Sequence, residues 1–236
     1  MSKESRRDSE TKKLTTKHSI LKKLGIPVKV NLPGVGENFQ EQGNNALVYS
    51  GTPEATGGVA VSQTFASPAD LFGSNLGEIT RSTRKDLPRW ADLIVSASGS
   101  ASVLLNKTAV EKVLQVQHDL VFGKRATTLA EYVTQTVGDG VLISSFWPLY
   151  SFSRGSVHLT SADVSKINLP RIDPRLNLVD FDLAIQIRVA KLAERLWRTT
   201  PLSPLVSGRV FPGLDVLPAD ATEAQWREFV KTTSEF

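Results

Sequence analysis

Apolar and polar side chains alternate along much of this chain, and the period of the alternation changes from stretch to stretch. Ile26, Val28, Val30 and Leu32 alternate with Pro27, Lys29 and Asn31. A period of two predicts a short strand, which Pro27 confines to its own start or to a sheet edge. Ala46–Tyr49 and Gly58–Ser62 predict two further strands with a Gly/Thr/Pro loop between them. Helical spacing follows. Ser67-Pro68 supplies an N-cap with proline at the first helical position, and Phe72, Leu76 and Ile79 share one face, although Gly73 and Gly77 weaken that helix. A stronger helix is predicted over about Thr108–Val121, with Val110, Val113, Leu114, Leu120 and Val121 on one side, and a second over about Leu129–Thr136.

The clearest helix opens at Asp180 and Asp182, acidic residues read as cap and dipole partners. Phe181, Ile185, Val189, Leu192 and Leu196 form its apolar stripe, with Arg188, Lys191, Glu194, Arg195 and Arg198 facing out. Pro201 and Pro204 end it. Residues Ser203–Pro218 read as a loop with a short Arg209-Val210-Phe211 run, and Thr222-Glu223-Ala224-Gln225 is a capping box opening a last helix with Trp226, Phe229 and Val230 inward.

Charge changes this picture only at one end. The net charge is +4, but residues 1–23 alone carry eight basic and three acidic groups, a net of +5, which leaves −1 for the rest. The excess therefore belongs to a polar segment, and residues 1–19 are expected to be disordered. A nucleic-acid surface would gather Lys/Arg and stacking aromatics on one folded face, so nucleic acid is not an expected partner. No run of about 18 apolar residues exists to span a membrane. The basic start is not followed by an apolar stretch, so no secretory signal is read there. There is no cysteine, and of three histidines His18 lies in the tail while His118 and His158 lie on different elements. No metal site is expected.

Chemistry concentrates between Phe146 and Pro174. Gly155 follows Arg154 where a turn would call for positive φ. Ser156–Thr160 then alternates as a strand, with His158 on the solvent side, and Pro170 and Pro174 hold Ile172-Asp173 extended. Trp147, then Ser153-Arg154-Gly155-x-Val157-x-Leu159-x-Ser161-x-Asp163, then Pro170-x-Ile172-Asp173-Pro174 resembles the core of the glucose–methanol–choline (GMC) flavoprotein oxidoreductases, in particular the glucose-oxidase-like fungal branch. Ser151 stands where the family often has proline. Upstream, Pro33-Gly34-Val35-Gly36-Glu37-Asn38-Phe39-Gln40-Glu41-Gln42 begins like a dinucleotide-binding turn. It lacks the third glycine and the apolar helix, so no such site begins there. The segment is similar to the loop with which GMC chains leave the flavin domain, with Phe39 and Glu41 replacing the family's leucine and aspartate; a plain turn and polar loop explains the glycines equally well.

The resemblance implies an α+β fold: an antiparallel sheet of about five or six strands with helices packed on one face. It divides the chain into a disordered tail (1–19), a remnant leading out of the FAD domain (20–45), a substrate-binding domain (46–218) and a C-terminal helix (219–236). It implies FAD as the cofactor of the full-length family, alcohols or sugars as substrates, and oxidation by hydride transfer to flavin with a histidine as base. That histidine motif and the family's Gly-x-Gly-x-x-Gly are not in this sequence, so no catalytic residue is assigned and FAD retention by this chain is not expected. Trp147 and Phe146 are candidate substrate-binding residues, since an aromatic platform packs against a ring face; the competing reading is that Phe146, Trp147, Tyr150 and Phe152 are core. Asn38 and Gln40 are candidates for facing the flavin. Arg154 is given a salt bridge or carbonyl contact. Family members are often secreted, and Asn106-Lys107-Thr108 forms a glycosylation sequon that matters only in that case. The alternative to an oxidoreductase portion is a non-catalytic truncated paralogue that binds a partner through an uncovered sheet face.

Overall fold

A computed structural model describes residues 18–32, 34–55, 60–98, 106–123, 127–138, 140–163, 165 and 170–234. Its helices are α1 (His18–Lys23), α2 (Pro68–Phe72), α3 (Leu76–Ala97), α4 (Lys107–Phe122), α5 (Asp180–Trp197) and α6 (Glu223–Thr233). Its strands are β1 (Glu37–Phe39), β2 (Asn45–Gly51), β3 (Ala60–Ala66), β4 (Ala130–Thr136), β5 (Val141–Pro148), β6 (Gly155–His158), β7 (Arg171–Asp173) and β8 (Val206–Phe211). The chain divides into two units, one of residues 1–41, 87–114 and 152–178, the other of residues 42–86, 115–151 and 179–236.

The larger unit carries the expected sheet. Five antiparallel strands lie in the order β3-β4-β5-β2-β8, and α5 packs on one face. Alternation assigns the sides: Leu47, Tyr49, Leu142 and Phe146 point to the helix side and are buried. Ile185, Val189 and Ala193 of α5 are completely buried; each large aliphatic contributes about 1.5–3 kcal/mol by leaving water. The burial on α5 runs wider than the stripe read from the sequence, taking in Asp182, Leu183, Gln186 and Ile187, whereas Leu192 and Leu196 are only partly covered. Asp180 and Asp182 fall in its first turn, where they suit the helix dipole, but the N-cap is Val179 and no side chain caps it. The predicted capping box at Thr222/Gln225 forms, and the predicted N-cap Ser67 is in place and closes a further box with Asp70; Trp226, Phe229 and Val230 are buried as expected.

Several expectations are corrected. Leu129–Thr136 is not helical: residues 130–136 form β4, hydrogen-bonded on both sides by β3 and β5. The spacing of Leu129, Tyr132 and Val133 mimics a helix, but β-branched and aromatic residues suit a pleated surface with strands on either side. Residues 26–32 form no strand, because no strand among the described residues pairs with them, and Val30 and Leu32 are exposed. On α4 the buried stripe is Leu114, Gln117, His118 and Val121, while Val113 and Leu120 face out. The short Arg209–Phe211 run is the end of β8, which starts at Val206. Of the expected tail, residues 18 and 19 open α1, and residues 1–17 lie outside the described residues.

The smaller unit holds a second antiparallel sheet, β1-β6-β7, that was not anticipated. Leu87, Trp90, Ala91 and Ile94 give the second half of α3 a buried stripe, and the rings of Trp90 and Phe152 lie 5.1 Å apart. Gly155 is not at positive φ. Its need is for space, since a Cβ there would lie 2.2 Å from the Asp173 carbonyl oxygen and 2.7 Å from that of Pro174.

Candidate functional site

The two aromatic candidates sit side by side on β5 and therefore point to opposite faces of the sheet. Phe146 belongs to the helix-side core with no exposed surface, opposite Tyr132 and Asn45 in the ladder. Trp147 lies on the outer face and is half-buried. It differs in this from Trp90, Trp197 and Trp226, which are 1%, 4% and 3% exposed. Its partner across the ladder is Glu131, itself flanked by Phe65 on β3. An aromatic plane beside a carboxylate can pack against the C–H face of a ring and accept from a hydroxyl. Glu131 escaped sequence reasoning because the segment read as a helix, which places no residue across from Trp147. The chain beyond Trp147 is pinned by its backbone: the Leu149 amide donates to the Leu129 carbonyl (2.9 Å), and Gln117 Nε2 donates to the carbonyls of Tyr150 (3.3 Å) and Ser151 (3.1 Å).

Asn38 and Gln40 lie in and beside β1, in the other unit, and both are exposed. Asn38 adopts φ of 61°, a conformation asparagine tolerates better than most residues. Its Oδ1 accepts from Arg154 Nε at 2.9 Å, and Arg154 Nη1 donates to the Ser153 carbonyl at 2.9 Å. Arg154 thus makes the expected carbonyl contact and holds the Asn38 turn as well.

His158 does not face solvent. Its Nε2 lies 2.8 Å from Glu37 Oε1, and the side chains are 13% and 2% exposed. Pairing of β1 with β6 brings them together, at a separation of 121 residues that no sequence pattern signals. A cavity of about 540 Å³ opens beside this pair, lined also by Ser156, Arg171, Asp173 and Arg175. Arg175 occupies positive φ, 49°, and is fixed by Asp173 Oδ2 (3.1 Å), Ser98 Oγ (3.0 Å) and Ser156 Oγ (3.3 Å). Only Asp173 of these was flagged by its motif.

A dinucleotide cradle needs a strand, a glycine turn and a helix leading to a parallel strand. Every strand pairing among the described residues is antiparallel, and the Gly34–Gly36 turn opens onto β1 instead of a helix. The described residues therefore do not fit the ADP half of a flavin cofactor. Among them no group of side chains could hold a metal, and no helix is long and apolar enough to cross a membrane.

No family model matches the chain. Over 210 residues it is 40% identical to the glucose oxidase-like protein fsoC of Humicola fuscoatra, covering 89% of this chain and 34% of that protein. It is 29% identical over 215 residues to a glucose oxidase of Aspergillus carbonarius, covering 90% of this chain and 33% of the relative. Its fold matches the structure of a fungal aryl-alcohol oxidase with a TM-score of 0.73 at 21% identity, covering 95% of this chain and 41% of that one. The chain spans about a third of the length of the curated relatives it matches.

Proposed function

The chain belongs to the glucose–methanol–choline oxidoreductase family, and from that premise we propose that it forms the substrate-binding portion of an FAD-dependent enzyme acting on CH–OH groups of alcohols or sugars. In this reading Trp147 is the platform for the substrate ring, Glu131 accepts from a substrate hydroxyl, and Asn38 and Gln40 face the flavin. The observation that carries it is the position of Trp147, half-buried on the outer face of the sheet while the other three tryptophans are buried. Phe146 keeps a supporting role, setting the strand from the core side. By itself the chain is expected to hold no flavin and to turn over no alcohol.

Because Trp147 is the tryptophan open to solvent, its emission reports on ligands directly. Titration with glucose and with benzyl alcohol is expected to give a saturable change in wild type that Trp147→Phe abolishes. An unchanged emission with both would remove the platform assignment. Incubation with FAD followed by desalting is expected to leave no flavin band near ~450 nm. A retained band bleached by an alcohol would refute the claim of inactivity.

One observation favours the second reading, a non-catalytic binding module. The outer sheet face exposes Val61 (61%) and Phe65 (52%), an apolar surface of the kind that associates.

A further inference from the structure

On the helix side of the larger unit, near the end of the sheet formed by β8, an arginine is buried with most of its donors unused. Arg209 lies across from Tyr49 in the β2–β8 ladder, and its side chain is 4% exposed. Its Nη1 donates to Glu194 Oε1 at 3.0 Å. Its Nε and Nη2 are buried with no hydrogen-bond partner, and so is the Tyr49 hydroxyl. Glu194 is already shared, since Oε1 also accepts from Arg198 Nη2 at 3.0 Å. Two guanidinium groups against one carboxylate leave one positive charge over. The sequence reading placed Glu194 on the outward face of α5; the pairing with Arg209 draws it in, to 12% exposed.

An unpartnered buried donor is costly, and native structures seldom leave three together. These residues line one recess of about 190 Å³, whose remaining wall is Trp197, Val206 and Leu214. Nε–H and Nη2–H of arginine are parallel and spaced to meet the two oxygens of a planar carboxylate. The tyrosine is a third donor; burial first, and then the Glu194 charge, push its pKa up, so it keeps its proton. The charge balance calls for a monoanion, and the apolar wall suits a short hydrocarbon or aryl tail.

We propose that this recess is a binding site for a small carboxylate, held bidentately by Arg209 and capped by the Tyr49 hydroxyl. It is independent of the Trp147 face, which lies on the other side of the sheet. Sodium benzoate is the probe, added to the full chain at constant ionic strength and followed by thermal melting and titration calorimetry. Benzoate is expected to raise Tm in a saturable way that chloride does not reproduce. Arg209→Lys keeps the charge but loses the fork, and should weaken binding at least ~10-fold; Tyr49→Phe keeps the shape and should weaken it several-fold. Absence of a benzoate effect would mean that the donors are met by water alone and would overturn the proposal. So would tighter binding of inorganic phosphate than of benzoate, or a benzoate affinity that is unchanged in Tyr49→Phe. Should Arg209→Lys not fold, the Tyr49→Phe comparison still decides.

Discussion

His118 shows what a single buried side chain adds that its sequence position does not reveal. It lies on the inner stripe of α4, its ring 4.7 Å from that of Phe122 and its Nε2 3.0 Å from Thr83 Oγ1. The Thr83 hydroxyl proton is committed to the Ile79 carbonyl at 2.7 Å, so the threonine oxygen accepts and His118 is the Nε2–H tautomer. Burial, and then the nearby positive charge of Arg84, hold its pKa below the ordinary 6.5; the Thr80 carbonyl and Asp119 act the other way without reversing the shift. The native state therefore binds fewer protons than the unfolded one between the folded pKa and about 6.5. The stabilisation is complete above the unfolded pKa and is lost as pH falls through that window. The urea midpoint of the wild type is expected to drop from pH 7.5 to pH 5 more steeply than that of His118→Gln. The variant should be weaker at pH 7.5 by about 1 kcal/mol for the altered hydrogen bond to Thr83. Parallel pH profiles for the two proteins would show that His118 titrates as if exposed. His158 is the converse case: alternation put it outside, and only the pairing of β1 with β6 showed that a carboxylate 121 residues away covers it.

Element ends were the most legible part of the chain, because capping is local. Thr222 Oγ1 accepts from the Gln225 amide at 3.3 Å, and Gln225 Oε1 accepts from the Thr222 amide at 2.9 Å, closing the box that opens α6. That helix buries Trp226, Phe229 and Val230, and its C-terminal end is tied to β2 by Asn45 Nδ2, which donates to Thr233 Oγ1 at 2.9 Å. Thr222→Ala is expected to cost about 1 kcal/mol, read as a lower urea midpoint with an unchanged slope, while Thr222→Ser should be close to neutral. Equal losses in both variants would assign the effect to packing and not to the cap. Element type was less legible where partners decide it. Residues 130–136 have helix-like apolar spacing, yet strands on both sides make them an interior strand of a sheet. The extended Pro170–Pro174 segment was read correctly because proline acts on its own backbone. At the candidate site the same division holds. Trp147 could be found from its motif, whereas Glu131 could not, since only the β4–β5 register places it opposite.

For the molecule as a whole, the five-stranded sheet sets a problem of coverage. Its helix side is filled by α5, but on the opposite side Val61, Phe65 and Val141 are exposed in alternation with buried or helix-side neighbours. β3 adds a second hazard. It is an edge strand of the sheet, and its sequence, Ala-Val-Ser-Gln-Thr-Phe-Ala, contains neither the charge nor the proline that usually protects such an edge. An apolar face next to an unprotected edge favours self-association. The relatives extend over about three times the length matched here. Wild-type protein is expected to show a weight-average mass that rises reversibly with concentration in sedimentation velocity. Val61→Lys with Phe65→Lys places two charges on the face while leaving the core side of β3 intact, and should weaken association at least ~10-fold. Raising salt screens the repulsion between the new lysines and should restore part of the association in the double variant. In wild type, where the contact is apolar, added salt should not weaken it. A monomer at all concentrations would require these side chains to be covered by the chain itself. Association that the lysines leave untouched would instead locate the contact on the backbone edge of β3, which a proline at an outward-facing amide of that strand would then block.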